Sequence, residues 1–104
     1  MFARILRSRL KIDRMGQAAR TFEEDVIPLC RKQTGFNGGY FLIDPKTGES
    51  IAITFWESRE AILATEQSRF FQAQVAKFIP FYAQSPIRDV YEVTLKEGAG
   101  PPKD

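Results

Sequence analysis

Two apolar runs separated by a short turn sequence constrain the fold of this chain most strongly. The runs are residues 40–43 (Tyr-Phe-Leu-Ile) and 51–56 (Ile-Ala-Ile-Thr-Phe-Trp), and residues 44–49 (Asp-Pro-Lys-Thr-Gly-Glu) lie between them. Proline suits the first corner of a turn and glycine suits a position of positive φ, so Pro45 and Gly48 predict a β-hairpin. Both alternate positions of each run are apolar, whereas a sheet with one solvated face alternates apolar and polar residues. We therefore expect both faces of the hairpin to be covered.

A strand and a helix precede the hairpin. Residues 2–11 alternate in the manner of a strand. Apolar residues at spacings of three and four then predict an amphipathic helix that begins at Asp13, as its N-cap, and ends near Gln33. Pro28 lacks the amide that a helix interior requires, so we expect a kink just before it. Gly35 is expected to end the helix in a left-handed conformation.

A second helix and a last strand follow the hairpin. Residues 59–66 and 68–79 predict a helix in two pieces, which Pro80 ends. Pro86 is expected to close a loop, and residues 88–95 to form the last strand.

The resulting element order, β-α-β-β-α-β, predicts an α+β fold of the ferredoxin-like type. Its single antiparallel sheet would carry two helices on one face. Residues 1–95 would form one domain, and residues 96–104 a disordered tail, because they have nothing to bury. The helices can cover only one sheet face, so we expect a homodimer in which sheet packs on sheet. The alternative is a monomer with a wet, partly apolar sheet face.

Composition excludes much familiar chemistry. The 104 residues include no histidine and one cysteine. The absence of histidine excludes His-ligated metals, His-ligated haem and His-based general bases. A single cysteine excludes an internal disulfide and a structural zinc site. We predict no metal site and no cofactor.

Charge and hydropathy narrow the classes of partner. The net charge is +2, which does not indicate a nucleic-acid binder. RNA-recognition motifs have the same order of helices and strands as this chain. The third strand here lacks their basic and glycine residues, so RNA binding is not predicted. No run of about 18 apolar residues predicts a membrane span. The N-terminal segment lacks the apolar core of a signal peptide, so we expect a cytoplasmic protein; its arginines leave a mitochondrial presequence as an alternative.

Several segments together resemble a known family. Residues 35–40 (Gly-Phe-Asn-Gly-Gly-Tyr) resemble a recurrent Gly-Phe-x-Gly entry into the second strand, and residues 53–61 resemble a strand-to-helix signature around a tryptophan. With Pro28 and the pair Phe70-Phe71, the chain resembles the antibiotic biosynthesis monooxygenase-like family of dimeric α/β barrels over about residues 2–95. The resemblance implies the ferredoxin-like fold and a homodimer whose sheets form a barrel.

The resemblance also implies a pocket between helices and sheet, shaped by a strand tryptophan that matches Trp56. The position at which haem-degrading members have an asparagine corresponds to Ser8 in this chain. The position of their haem-ligating histidine lies near Val75. Because the chain has no histidine, His-dependent haem degradation is excluded. In quinol-oxidising members we expect an asparagine four residues before the tryptophan, and this chain has Ala52 there. The side chain expected to stabilise an oxyanion is therefore absent, which argues against monooxygenase activity.

The candidate substrate-binding residues are Trp56, Ser8, Phe71 and Val75; no catalytic residue is assigned. The small residues Ala52 and Thr54 share the parity of Trp56 and could leave a gap beside its indole. The alternative is that Trp56 simply fills the core.

Two functions remain open. One is a cofactor-independent monooxygenase-like protein that acts on a small aromatic or apolar substrate. The other is a non-catalytic, dimeric ligand-binding or structural protein of the same fold. Cys30 lies on the apolar stripe of the first helix and is interpreted as a buried packing residue.

Overall fold

The structure is a computed structural model that describes residues 1–98. One antiparallel sheet has the strand order β2-β3-β1-β4. The strands are β1 (Phe2–Leu10), β2 (Phe36–Ile43), β3 (Glu49–Trp56) and β4 (Tyr82–Glu92). The helices are α1 (Met15–Thr21), α2 (Ile27–Cys30), α3 (Arg59–Gln67) and α4 (Phe70–Ala76). The α+β, ferredoxin-like fold predicted from the sequence is confirmed.

The first helical segment is less regular than predicted. Asp13 is not the N-cap of an α-helix but lies within a 3₁₀ turn, Ile12–Arg14, that precedes α1. A π-helical turn, Phe22–Val26, separates α1 from α2. Pro28 has no backbone amide to donate, so regular helical hydrogen bonding cannot continue through it. The kink predicted just before Pro28 takes the form of this wider π-helical turn.

The second helical segment divides into two pieces as predicted, but the second piece, α4, ends at Ala76, and Pro80 lies in a separate 3₁₀ turn, Ile79–Phe81. Ser58 caps α3, because its hydroxyl accepts a hydrogen bond from the amide of Ala61 at 3.0 Å. The segment breaks at Arg69, whose φ of 70° is left-handed. Ser68 then accepts a hydrogen bond from the amide of Phe70 at 3.3 Å, where α4 begins.

The last strand begins earlier and ends earlier than predicted. We expected residues 88–95 to form it after a loop closed by Pro86, but β4 spans Tyr82–Glu92 and contains that proline. An edge strand tolerates proline because one of its sides makes no sheet hydrogen bonds. The β1–β4 register also shifts between Arg7 and Arg9, opposite this proline. Residues 96–98 belong to no helix or strand, and residues 99–104 of the predicted tail lie outside the described part of the chain.

The sheet has an inner face under the helices and an outer face without cover in the single chain. The inner face and the helices bury an apolar core that includes Leu10, Ala18, Phe22, Val26, Cys30 and Phe78. On the outer face, by contrast, Tyr40 is 38% exposed, Leu42 49% and Ile87 67%. One chain therefore covers one face of its hairpin only.

Candidate functional site

A cavity lies between the inner sheet face and the helices. Its volume is about 70 Å³, which is room for several water molecules or a small part of a ligand. Strand alternation directs one parity of β1 and one of β3 into it, and the register pairs Leu6 with Ala52 and Ser8 with Ser50 across the two strands. Aromatic and aliphatic side chains from the helical segments form most of the remaining wall.

All four sequence-predicted site residues line this one cavity. Trp56 and Ser8 approach it from the sheet, and Phe71 and Val75 approach it from α4. Ala52 lines it as well, four residues before Trp56 on β3. The structure thus brings the four residues together, and their role in binding a substrate stays a prediction.

Trp56 forms a buried wall with its polar atom already paired. The side chain is 2% exposed, and its indole Nε1 donates a hydrogen bond to Thr54 Oγ1 at 2.9 Å. The ring of Phe36 meets the indole edge-on, with centroids 5.3 Å apart. The indole therefore offers a ligand an apolar surface rather than an unused donor.

Ser8 belongs to a hydroxyl pair. Its Oγ lies 2.7 Å from Oγ of Ser50, its register partner on β3. Either hydroxyl can donate to the other, and the remaining hydrogen and lone pairs can reorient. This pair is a small polar spot in a mainly apolar wall.

Arg4 lines the cavity and was missed by the sequence analysis. Its side chain is 3% exposed, and its guanidinium carbon lies 4.0 Å from the ring centroid of Phe71 and 5.6 Å from that of Trp56. Its Nη2 donates hydrogen bonds to Thr65 Oγ1 at 2.5 Å and to the carbonyl of Ile62 at 3.4 Å. Strand parity places residue 4 on the same sheet face as Leu6, but parity alone does not predict that an arginine is buried there.

Burial lowers the pKa of Arg4 to about 10. The nearby charge of Glu66 opposes this effect, and the charge of Arg88 adds to it. Because a pKa of about 10 still lies well above 7, the guanidinium is protonated near neutral pH. The cavity therefore contains a buried positive charge.

The other titratable groups of the wall are neutral near pH 7. Burial raises the pKa of Tyr82 to about 12, and it also raises the pKa of the Cys30 thiol, although Arg4 acts in the opposite direction. No aspartate or glutamate lines the cavity within residues 1–98. The wall thus supplies no group that acts as a general base at neutral pH.

Metal and membrane signals are absent from the part of the chain that the structure covers. Residues 1–98 contain no cluster of cysteine and acidic side chains that could hold a metal ion. Within the same residues, no helix is both long enough and apolar enough to cross a membrane.

Several solved structures have the same fold. A protein described as an antibiotic biosynthesis monooxygenase superposes with a TM-score of 0.70 at 16% identity, covering 91% of this chain and 100% of that one. The haem degrader MhuD of Mycobacterium tuberculosis, with two haems in its active site, gives a TM-score of 0.77 at 20% identity, covering 94% and 100%.

A third structure carries an organic ligand. It is the monooxygenase from the gene ActVA-Orf6 of Streptomyces coelicolor in complex with nanaomycin D, with a TM-score of 0.67 at 14% identity, covering 98% of this chain and 92% of that one. No family model matches the sequence, and no curated protein matches it. At these identities the likeness establishes a shared fold, in agreement with the resemblance found in the sequence.

Proposed function

We propose that this chain, which has the fold of the antibiotic biosynthesis monooxygenases, binds a small aromatic or apolar molecule beside Trp56 and oxidises it with O₂ without a cofactor. The observation that carries the proposal is the cavity itself, which lies between sheet and helices and has a mainly apolar wall. Because its present volume is about 70 Å³, the wall would have to open further to admit a whole ring. A structural neighbour that is named a monooxygenase binds nanaomycin D.

The proposed reaction takes all its electrons from the substrate. A phenol such as 1-naphthol reacts at the ring carbon para to its hydroxyl group: one oxygen atom of O₂ becomes the new ring carbonyl, and the other leaves as water. The substrate loses the ring hydrogen and the hydroxyl hydrogen, both of which end in that water, and the product is a quinone. The four electrons that reduce O₂ come from the substrate, so the balance requires no external reductant.

The protein would contribute orientation and exclusion of water. The wall presents the indole of Trp56 as a flat apolar surface against which a ring can lie, and a fixed pose raises the effective concentration of the reacting atoms. Because no carboxylate lines the cavity within residues 1–98, the proton of the substrate must leave by virtue of its own acidity.

A non-catalytic ligand-binding protein is the second candidate. The observation that favours it is Ala52, which lines the cavity where an asparagine would be expected in quinol-oxidising members of the family that the sequence resembles. Without that amide, the wall has one fewer donor to stabilise a developing oxyanion.

We also propose that the chain forms a homodimer through the outer sheet face. Tyr40 and Leu42 on β2 and Ile87 on β4 are exposed apolar side chains on this face in the single chain. Exposed apolar side chains on an uncovered sheet face are typical of an interface. Packing of sheet on sheet would give the α/β barrel that the resemblance implies.

Oxygen consumption tests the catalytic proposal. With 1-naphthol as substrate and a metal chelator present, we expect O₂ uptake that matches quinone formation mole for mole. An Ala52→Leu variant, whose larger side chain fills part of the cavity, should lose this activity while it stays folded. Uptake no faster than that of the variant would overturn the catalytic proposal and leave the ligand-binding one.

A further inference from the structure

Arg4 is a buried cation without an anionic partner. Three ion pairs occur within residues 1–98: Arg7 with Asp89, Arg9 with Glu49, and Arg88 with Glu66. None of them includes Arg4. Its two hydrogen bonds run to neutral oxygen atoms and are both donated by Nη2, while Nε is buried with no acceptor.

Such an arrangement is costly for a residue with only a packing role. Removal of a charge from water is unfavourable unless an opposite charge and hydrogen bonds compensate it. The nearest acidic influence is Glu66, whose carboxylate lies 3.0 Å from a guanidinium nitrogen of Arg88, a residue that is half exposed. Neutral Cys30 and Tyr82 supply no negative charge on the other side of the cavity.

Neighbouring contacts fix the guanidinium in position. The ring of Phe71 lies 4.0 Å from its centre, and Thr65 accepts a hydrogen bond from one edge. An arginine held on an aromatic surface keeps a strong preference for planar, oxygen-bearing anions, since its donors diverge in one plane. The cavity therefore contains a preorganised anion-binding group within an apolar wall.

We propose that the natural ligand is a planar apolar ring that bears one anionic oxygen group, a carboxylate or a phenolate, and that Arg4 pairs with this group. This inference rests on the proposed function in one respect only, namely that the ligand binds in the same cavity. The ring would occupy the apolar part beside Trp56, and the anionic oxygen would approach the guanidinium. The positive charge would also hold a phenol in its ionised form, which is the electron-rich form that a reaction with O₂ requires.

A matched pair of ligands tests the charge preference. Benzoate and benzamide have nearly the same shape and differ in charge, and quenching of the single tryptophan, Trp56, reports binding of either. We expect benzoate to bind the wild type about tenfold or more tightly than benzamide, as for one charge-assisted pair. Arg4→Met should abolish the preference. Arg20→Met removes an exposed positive charge on α1 that is not part of the cavity wall, and it should keep the preference.

A chromogenic phenol separates the two kinds of anion. The phenolate of 4-nitrophenol absorbs visible light, so absorbance gives the pKa of the bound phenol directly. If the ligand group is a phenolate, we expect that pKa to fall by about one unit or more in the wild type. In Arg4→Met it should lie at or above its ordinary value, because burial without the cation favours the neutral phenol. If benzoate alone shows the charge preference, the ligand group is a carboxylate.

The outcomes distinguish this inference from the proposed function. Equal affinity for benzoate and benzamide, together with an unchanged pKa of bound 4-nitrophenol, would overturn the anionic ligand and leave an apolar binding site. Binding of none of the three probes would overturn both. These comparisons use the wild type, so they remain decisive even if Arg4→Met does not fold.

Discussion

Trp56 uses its only hydrogen-bond donor within the protein. Its indole N–H is bonded to Thr54, which stands two residues earlier on the same strand and on the same inward parity. The bond fixes the orientation of the indole in the cavity wall. Trp56 therefore contributes shape and an apolar surface to the cavity wall. Under the proposed function, recognition of a polar ligand atom would fall to Arg4 or to the Ser8–Ser50 pair.

Replacement of Thr54 by valine tests that account of the indole. Thr54→Val keeps the shape but leaves the buried indole N–H without an acceptor, so we expect a loss of about 1–3 kcal/mol in the free energy of unfolding. In the Trp56→Phe background, which has no indole donor, the same change should cost clearly less. Denaturant unfolding of the four proteins measures the coupling. Equal costs in both backgrounds would contradict a structural role for this bond.

The Tyr82 hydroxyl gives stability a defined dependence on pH. Its pKa is raised to about 12 in the folded protein from an ordinary value of about 10, so the unfolded state ionises first as the pH rises. The contribution of neutral Tyr82 to stability is therefore fully present below about pH 10 and is lost towards pH 12.

A Tyr82→Phe variant isolates this contribution from other groups that titrate at high pH. The difference in unfolding free energy between wild type and variant should be constant from pH 7 to 9. Above about pH 10 the unfolding free energy of the wild type should fall relative to that of the variant. Denaturant titrations at several pH values measure it. A difference that stays flat up to pH 12 would mean that the phenol is not buried in its neutral form.

At the scale of elements, local signals predicted most of the fold. The hairpin was found because Pro45 and Gly48 are turn residues between two apolar runs, and Gly48 does adopt a positive φ of 80°. The start of β4 was missed because Pro86 is normally a strand breaker. Whether a strand lies at an edge, where proline is tolerated, depends on the pairing of distant segments, which a local pattern does not contain.

In the candidate site, too, local sequence patterns predicted some residues, whereas others depend on contacts between distant segments. The cavity residues on β1 and β3 could be grouped by strand parity, and the family resemblance pointed to Trp56, Ser8 and Val75. The burial of Arg4 could not be predicted, because it depends on α3 and α4 closing over the sheet to place Thr65 and Phe71 beside the guanidinium. A charged residue in a strand is normally solvated.

The break between α3 and α4 stores backbone strain at Arg69. A left-handed conformation, φ 70° here, costs a residue with a Cβ atom roughly 1 kcal/mol and costs glycine little. We expect Arg69→Gly to be about 0.5–1 kcal/mol more stable to denaturant than the wild type. As the matched control, Arg20→Gly in the regular helix α1 should be about 1 kcal/mol less stable. Destabilisation by both changes would contradict the strain.

At the scale of the whole molecule, the proposed homodimer depends on the outer sheet face. Leu42 on that face and Leu63 on α3 are exposed to nearly the same degree in the single chain, 49% and 51%. We expect the wild type to have twice the chain mass of 11.9 kDa by light scattering. Leu42→Glu should give a monomer, because it places a charge in the sheet-to-sheet contact, whereas Leu63→Glu should remain a dimer. A monomeric wild type would overturn the proposed interface.

The central claim is that the cavity beside Trp56 is a ligand site rather than a packing defect. Quenching of Trp56 fluorescence by 1-naphthol in the absence of O₂ tests it most directly, since binding is then separated from oxidation. We predict saturable quenching in the wild type and none in Ala52→Leu, with the same blue-shifted emission from both free proteins as evidence that the variant is folded. Equal quenching of the two proteins, or no saturation up to the solubility limit of the naphthol, would contradict the account.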